Sequence, residues 1–312
     1  MTPQDPATTT LSPDPAPAAQ AYPGLSPQLL ARVSQLWSAA GLDLDRHWRA
    51  AVRSLPGFRA LPRTDPGAGS GDADLVFLFD QGITWVRAVH EAADTGRRHA
   101  LPGLSPAQWH GLAALTARLT EQLAALRLLA LTGLPMPAMQ IARSVSEDVD
   151  MALVILIRRK QAERFAECRS VEEASAFWRR HIAGGRAFRA VSEKLYEVGI
   201  DHSADTDYAR WREQVLTTLG AAIHSNALKT RFDTPRHANA LLNGDSLHFA
   251  TFRIHELCSY AQLVQPQLTA TLRAAAQADP RNALAALAGP MTGILVHQIA
   301  SLAPPEGPTH RR

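Results

Sequence analysis

The residues best placed to do chemistry lie in the segment MQIARSVSEDVDMALVILI, Met139 to Ile157. Arg143, Glu147 and Asp150 follow one another at spacings of four and three, so on a helix they share a face. Val154 and Ile157 continue that face, which passes from ionised to apolar within two turns. Such a stripe is expected to be buried along most of its length, and buried guanidinium and carboxylate groups are costly unless paired. The spacing therefore predicts a network joining Arg143 to Glu147 or Asp150. Its chemistry would be anion binding through Arg143 or general acid–base work by the carboxylates. Its structural alternative is an interhelical network that fixes packing. Glu147, Asp148 and Asp150 raise the question of a divalent metal, but no Glu-x-x-His motif accompanies them, so neither a metal nor a cofactor is expected.

His224 is the second candidate. On its helix it shares a face with Thr217 and Gly220, whose small side chains let another helix approach closely. A buried, neutral imidazole is expected there. The helix expected to approach is the one carrying Arg143 and Glu147. His248 and His255 lie about 10.5 Å apart along a helix, too far to share one ion. His255-Glu256 and His90-Glu91 lack the second histidine of a zinc-protease motif, and no G-x-S-x-G occurs. Cys168 and Cys258 stand far apart and read as free thiols of a reducing, cytoplasmic compartment.

The elements that must position these residues read as helices throughout. The chain has 312 residues, 46% hydrophobic and 20% charged, with a formal charge of +3, enough for a sizeable core but too little excess charge to imply nucleic acid. Residues 1–24 are Pro- and Ala-rich without Lys or Arg and read as a disordered tail, as do residues 304–312. Residues 25–303 read as one all-α domain, an irregular multi-helix bundle with a flexible loop and sub-boundary near 62–73. Within it, Ser26-Pro27 opens a first helix that Gly41 stops, and a second spans about Asp43 to Leu55. A third runs from Asp74 to Ala93. A fourth, capped by Ser105-Pro106, carries a leucine seam to Leu131. After a Gly133–Pro137 linker and the Arg143 segment, helices are expected at Val171–Glu197, Asp205–Thr230, Leu247–Val264 and Leu268–Ala303, with a loop over Asp233–Asp245. Ala283 to Ala303 is uncharged but broken by Gly289, Pro290 and Gly293, so a buried helix is expected and not a membrane span. The basic runs Arg97-Arg98-His99, Arg158-Arg159-Lys160 and Arg179-Arg180-His181 read as solvated surface.

Arg143-x-x-x-Glu147, followed by a helix with Tyr208, Trp211 and Ile223-His224-Ser225, resembles a bacterial family of all-helical proteins of unknown function. The resemblance covers about residues 110–265. That family is similar in outline to HEPN domains, helical bundles of bacterial toxin and phage-defence systems, some of which cut RNA. HEPN ribonucleases place an Arg and a His close together in sequence, with four to six residues between them. The single such pair here, Arg231 and His237, has Pro235 between its members. The expected function is therefore binding, in bacterial stress or phage defence, with a homodimer as the candidate assembly. The alternative is a HEPN-like, metal-independent ribonuclease using Arg143, Glu147 and His224, with Asp150 and Tyr208 as binding contacts; RNA is a partner under that alternative alone.

Overall fold

The computed structural model describes residues 17–53, 71–203, 205–221 and 238–298, and every regular element among them is a helix. Four long helices form the frame: α4 (Gly71–Arg98), α5 (Pro106–Leu131), α6 (Pro135–Ile157) and α11 (Ala238–Val264). Each packs along the next, and α11 returns against α4, which closes the ring around one core. The short links between α4, α5 and α6 leave neighbours antiparallel. α6 is apolar almost all round after Asp150, which suits a helix covered on every side: Val149, Ala152, Leu153 and Ile155 are fully buried.

Local chemistry sets the ends of these helices. Ser105 and Gln108 form a reciprocal capping box at the start of α5. The same Gln108 side chain donates to the carbonyls of Ile155 and Leu156 at 3.1 and 3.0 Å, so one residue caps α5 and satisfies the end of α6. α4 approaches α5 at Gly96, where the Trp109 ring occupies the place a Cβ would take.

Smaller helices cover the frame on two sides. α1 (Ala18–Ala21), α2 (Pro27–Ala39) and α3 (Leu44–Arg53) precede it, and α12 (Leu268–Ala278) and α13 (Ala288–Gln298) pack on α4. On the other side lie α7 (Arg159–Glu167), α8 (Val171–His181), α9 (Arg186–Glu197) and α10 (Asp207–Ala221); α9 and α10 rest on α6.

Several boundaries differ from those expected. Residues 17–24, expected in a disordered tail, are ordered: Ala18 and Tyr22 are buried, and the Tyr22 hydroxyl donates to Asp80 at 2.6 Å. Asp80 also receives Arg127 Nε at 2.8 Å, and burial still raises its carboxyl above the usual range against the pull of that guanidinium. Pro135 and Pro137 do not hold a loop; proline at the first helical turn needs no donor, and α6 begins there. Residues 171–197 are two helices, because Gly184 and Gly185 adopt φ of +65° and +73° and turn the chain. α7 was not expected; it has nine residues and follows α6 with Arg158 alone between the two helices. α11 starts at Ala238, inside the expected loop, while residues 279–287 interrupt the expected last helix. No helix among the described residues is long and apolar enough to cross a membrane. The segments 1–16, 54–70 and 299–312 lie outside the described residues, as do His224, Arg231 and His237.

Candidate functional site

α6, the Gly184–Gly185 turn, α9 and α10 enclose a cleft of about 1260 Å³. α6 contributes Arg143, Ser146, Glu147 and Asp150, which are the residues of its polar half. The predicted triad thus reaches one place, but not as predicted. Arg143 and Glu147 side chains are 35% and 34% exposed and 3.7 Å apart, a half-solvated pair in place of a buried one. The correction follows from the helix covering them. α10 lies along this face, with Arg212 at Asp150 and with Leu216 and Gly220 at Arg143, and the Arg143–Glu147 pair stays at the edge of the cleft.

Arg143 is nevertheless held. Its Nη1 donates to the Leu216 carbonyl at 2.9 Å, and it rests on Gly220, where a Cβ would come within 2.8 Å of that nitrogen. The helix that meets Gly220 is therefore the one carrying Arg143. Glu147 accepts a hydrogen bond from Trp178 Nε1 of α8 at 3.3 Å.

Asp150 takes its partners from other helices. Arg212 of α10 reaches one carboxylate oxygen at 2.5 Å, and Arg253 of α11 reaches the other. Arg253 also pairs with Glu256 one turn on, inside the core. Two guanidinium groups and two carboxylates make a neutral set, the condition under which such burial is sustained. Burial opposes the charge on Arg253, but Glu256 and Asp150 outweigh it and raise its pKa further. Tyr260 donates to Glu256 at 3.1 Å, and His202 Nε2 meets the Tyr260 hydroxyl at 2.7 Å. Because Tyr260 gives its proton to Glu256, His202 is the donor in that contact. Burial, followed by the field of Arg253, lowers the His202 pKa, which keeps the ring neutral at pH 7.

Tyr208, expected as a binding contact, belongs to this scaffold. Its hydroxyl accepts from Arg253 at 3.2 Å and its ring stacks on His202 with centroids 4.1 Å apart. The Arg212 guanidinium lies 3.7 Å above the centre of the Phe188 ring, a cation–π contact on the cleft wall. Four polar atoms of cleft-lining residues have no hydrogen-bond partner among the described residues: Ser146 Oγ, Ser192 Oγ, His202 Nδ1 and Arg212 Nε.

Arg253 and Glu256 escaped the sequence reading, although the clue that flagged Arg143 is there too: two ions three apart within the apolar run Phe249–Val264. Between them stands His255. That histidine is a satisfied core residue, bonded to the Thr251 carbonyl at 2.8 Å and to Gln298 at 3.2 Å. His202 and Trp178 gave no signal, since single residues in a loop and on a surface helix carry no pattern. Among the described residues no group of three or more metal-ligating side chains comes together. No family model, curated protein or solved structure matches the chain.

Proposed function

We propose that the protein works by binding, and that its cleft receives a small molecule carrying hydrogen-bond acceptors such as a carboxylate, phosphate or carbonyl group. The observation behind this reading is that three of the four unpartnered atoms on the cleft wall, Ser146 Oγ, Ser192 Oγ and Arg212 Nε, are donors. An unsatisfied buried polar group costs about 1–3 kcal/mol, and a bound acceptor would relieve that cost. Phe188, Trp178 and Tyr196 offer apolar area for the rest of the ligand. Arg143 gives a second guanidinium at the mouth. The reading places the protein in the cytoplasm and includes self-association into a homodimer, which light scattering checks. Thermal shift against a panel of small carboxylates and phosphates tests the binding. A ligand that raises Tm for the parent should fail to do so for Ser146→Ala/Ser192→Ala, a variant that removes the unpaired hydroxyls and should fold as well as the parent. A ligand acting equally on both proteins would refute the assignment.

A second reading, metal-independent RNA cleavage by Arg143, Glu147 and His224, draws support from the packing of Arg143 on Gly220, four residues before His224. Incubation with total RNA, comparing the parent with His224→Ala, decides it. Equal breakdown by both, or by neither, ends that reading.

A further inference from the structure

α9 turns Arg189, Ser192 and Glu193 to the cleft, at spacings of three and four. α10 turns Glu213 there, on a stripe with Leu216 and Thr217. The ionised groups of the lining do not balance. Arg143, Arg189 and Arg212 stand with five carboxylates, those of Glu147, Asp150, Glu193, Asp201 and Glu213. Three of the five are paired: Glu147 with Arg143 at 3.7 Å, Glu193 with Arg158 at 3.0 Å, and Asp150 within its neutral set with Arg212, Arg253 and Glu256. Asp201, Glu213 and Arg189 remain, all exposed and in no ion pair among the described residues. Two negative charges against one positive leave the lining with one negative charge uncompensated.

A charge on a surface helix ordinarily finds its partner three or four residues away. Here both such partners are taken. Glu193, four residues after Arg189, turns to Arg158. Arg210, three residues before Glu213, pairs with Asp207 and donates to the Asp205 carbonyl at 2.8 Å. Glu213 is also the seventh residue of α10, beyond the first turn where a helix dipole favours a carboxylate. Asp201 has a local role, since it accepts from the Ser203 amide at 2.8 Å, a bond that holds its carboxyl below the usual range. No such role accounts for Glu213.

The buried part of the same walls has the opposite need. Ser146, 1% exposed, and Arg212 hold the donors Oγ and Nε without partners, and Ser192 Oγ is a third. A carboxylate alone would meet these donors but add negative charge to a lining already short of positive charge. A molecule that also carries an ammonium group meets both needs. Given the cleft as a ligand site, the reading on which this rests, we infer that its occupant is a zwitterion of the amino-acid or short-peptide class. Its carboxylate lies on Ser146, Ser192 and Arg212, and its ammonium group lies at Glu213. Phosphate esters and dicarboxylates lack the cation, and simple amines lack the acceptor. The cleft, at about 1260 Å³, exceeds the roughly 300–1,000 Å³ of drug-sized sites, so a short peptide has room in it.

Thermal shift on the full chain with the common amino acids, diglycine and triglycine selects the tightest probe. Calorimetric titration then compares that probe with its N-acetyl and its carboxamide derivatives. N-acetylation removes the cation and keeps the carboxylate; amidation does the reverse. Each should weaken binding by about tenfold or more, the effect of losing one charge-assisted hydrogen bond. Glu213→Gln, a change at an exposed position, should keep the parent's Tm without ligand and bind the probe about tenfold more weakly. It should bind the N-acetyl derivative as the parent does, so that the preference for a free ammonium group disappears. An N-acetyl derivative as tight as the probe, a preference that survives Glu213→Gln, or no binding by any amino acid or peptide overturns the zwitterion. The broader reading outlives each of these results if a carboxylate or phosphate without a cation binds and needs Ser146 and Ser192. An amino acid that binds the parent and Ser146→Ala/Ser192→Ala equally overturns both.

Discussion

Replacing Asp150 by asparagine asks whether the buried network, and not the exposed Arg143–Glu147 pair, carries the electrostatic share of stability. The change keeps the side chain's shape and removes one negative charge from between Arg212 and Arg253, whose side chains are 9% and 1% exposed. Glu256 is then the one carboxylate left in a set with two guanidinium groups, and Arg212 loses its ion pair. Removing one partner of a buried pair costs about 3–5 kcal/mol, a large part of a typical total of about 5–15 kcal/mol. With a urea m-value of about 3 kcal/mol/M, the midpoint should fall by about 1–1.7 M. Arg143→Ala is the matched control. That pair is 3.7 Å apart and about a third exposed, so its loss should cost only about 0–1 kcal/mol. Adding Arg212→Met to Asp150→Asn should restore part of the loss, because it removes the uncompensated charge. Equal midpoints for Asp150→Asn and the parent, or a loss in Arg143→Ala as large as that in Asp150→Asn, would refute the reasoning.

Other expectations follow from single groups. Burial raises the Asp148 carboxyl from 3.8 to about 6 despite Arg118 at 3.1 Å. As pH rises from 4 to 6 the unfolded chain loses this proton first, so stability is lost through that window and stays lost above it. Asp148→Asn should therefore exceed the parent by up to about 3 kcal/mol at pH 8, with the gap closing near pH 4; urea melts showing a gap constant with pH would contradict this. Tyr22→Phe removes the 2.6 Å donor to buried Asp80 and should cost about 1–3 kcal/mol, read by thermal unfolding; a cost near zero would mean that the N-terminal segment does not dock. Gly96→Ala places a Cβ 2.7 Å from three atoms of the Trp109 ring. Overpacking of about 1–3 kcal/mol should outweigh a helix-propensity gain of about 1 kcal/mol, and a raised Tm would show that the ring yields.

The helical frame was legible because each long helix announces itself by period and cap. Ser26-Pro27 and Ser105-Pro106 mark true starts, and the helix expected from Asp74 to Ala93 lies within α4. The close approach at Gly220 was legible too, since a glycine on a helix face needs a neighbour to explain it. Burial of the charged stripe was not. Periodicity says which residues share a face, but which turn of that face is covered depends on where α10 crosses, and that is set by contacts distant in sequence. The same limit hid Arg212 and Arg253 as the partners of Asp150, 62 and 103 residues away.

α8 buries Phe177 alone among its side chains, and two left-handed glycines follow it. Detaching it from the frame exposes little more than one phenyl ring and breaks the Trp178–Glu147 hydrogen bond. Exposing a buried phenylalanine costs about 1.5–3 kcal/mol, so the helix should be released in roughly 1–10% of molecules at any moment. Its amides should exchange with deuterium far ahead of those of α6, which open only when the whole frame does. The width of the cleft mouth is then a thermal average over two arrangements of one wall, and ligands too large for the closed arrangement gain entry at a rate set by α8's own opening.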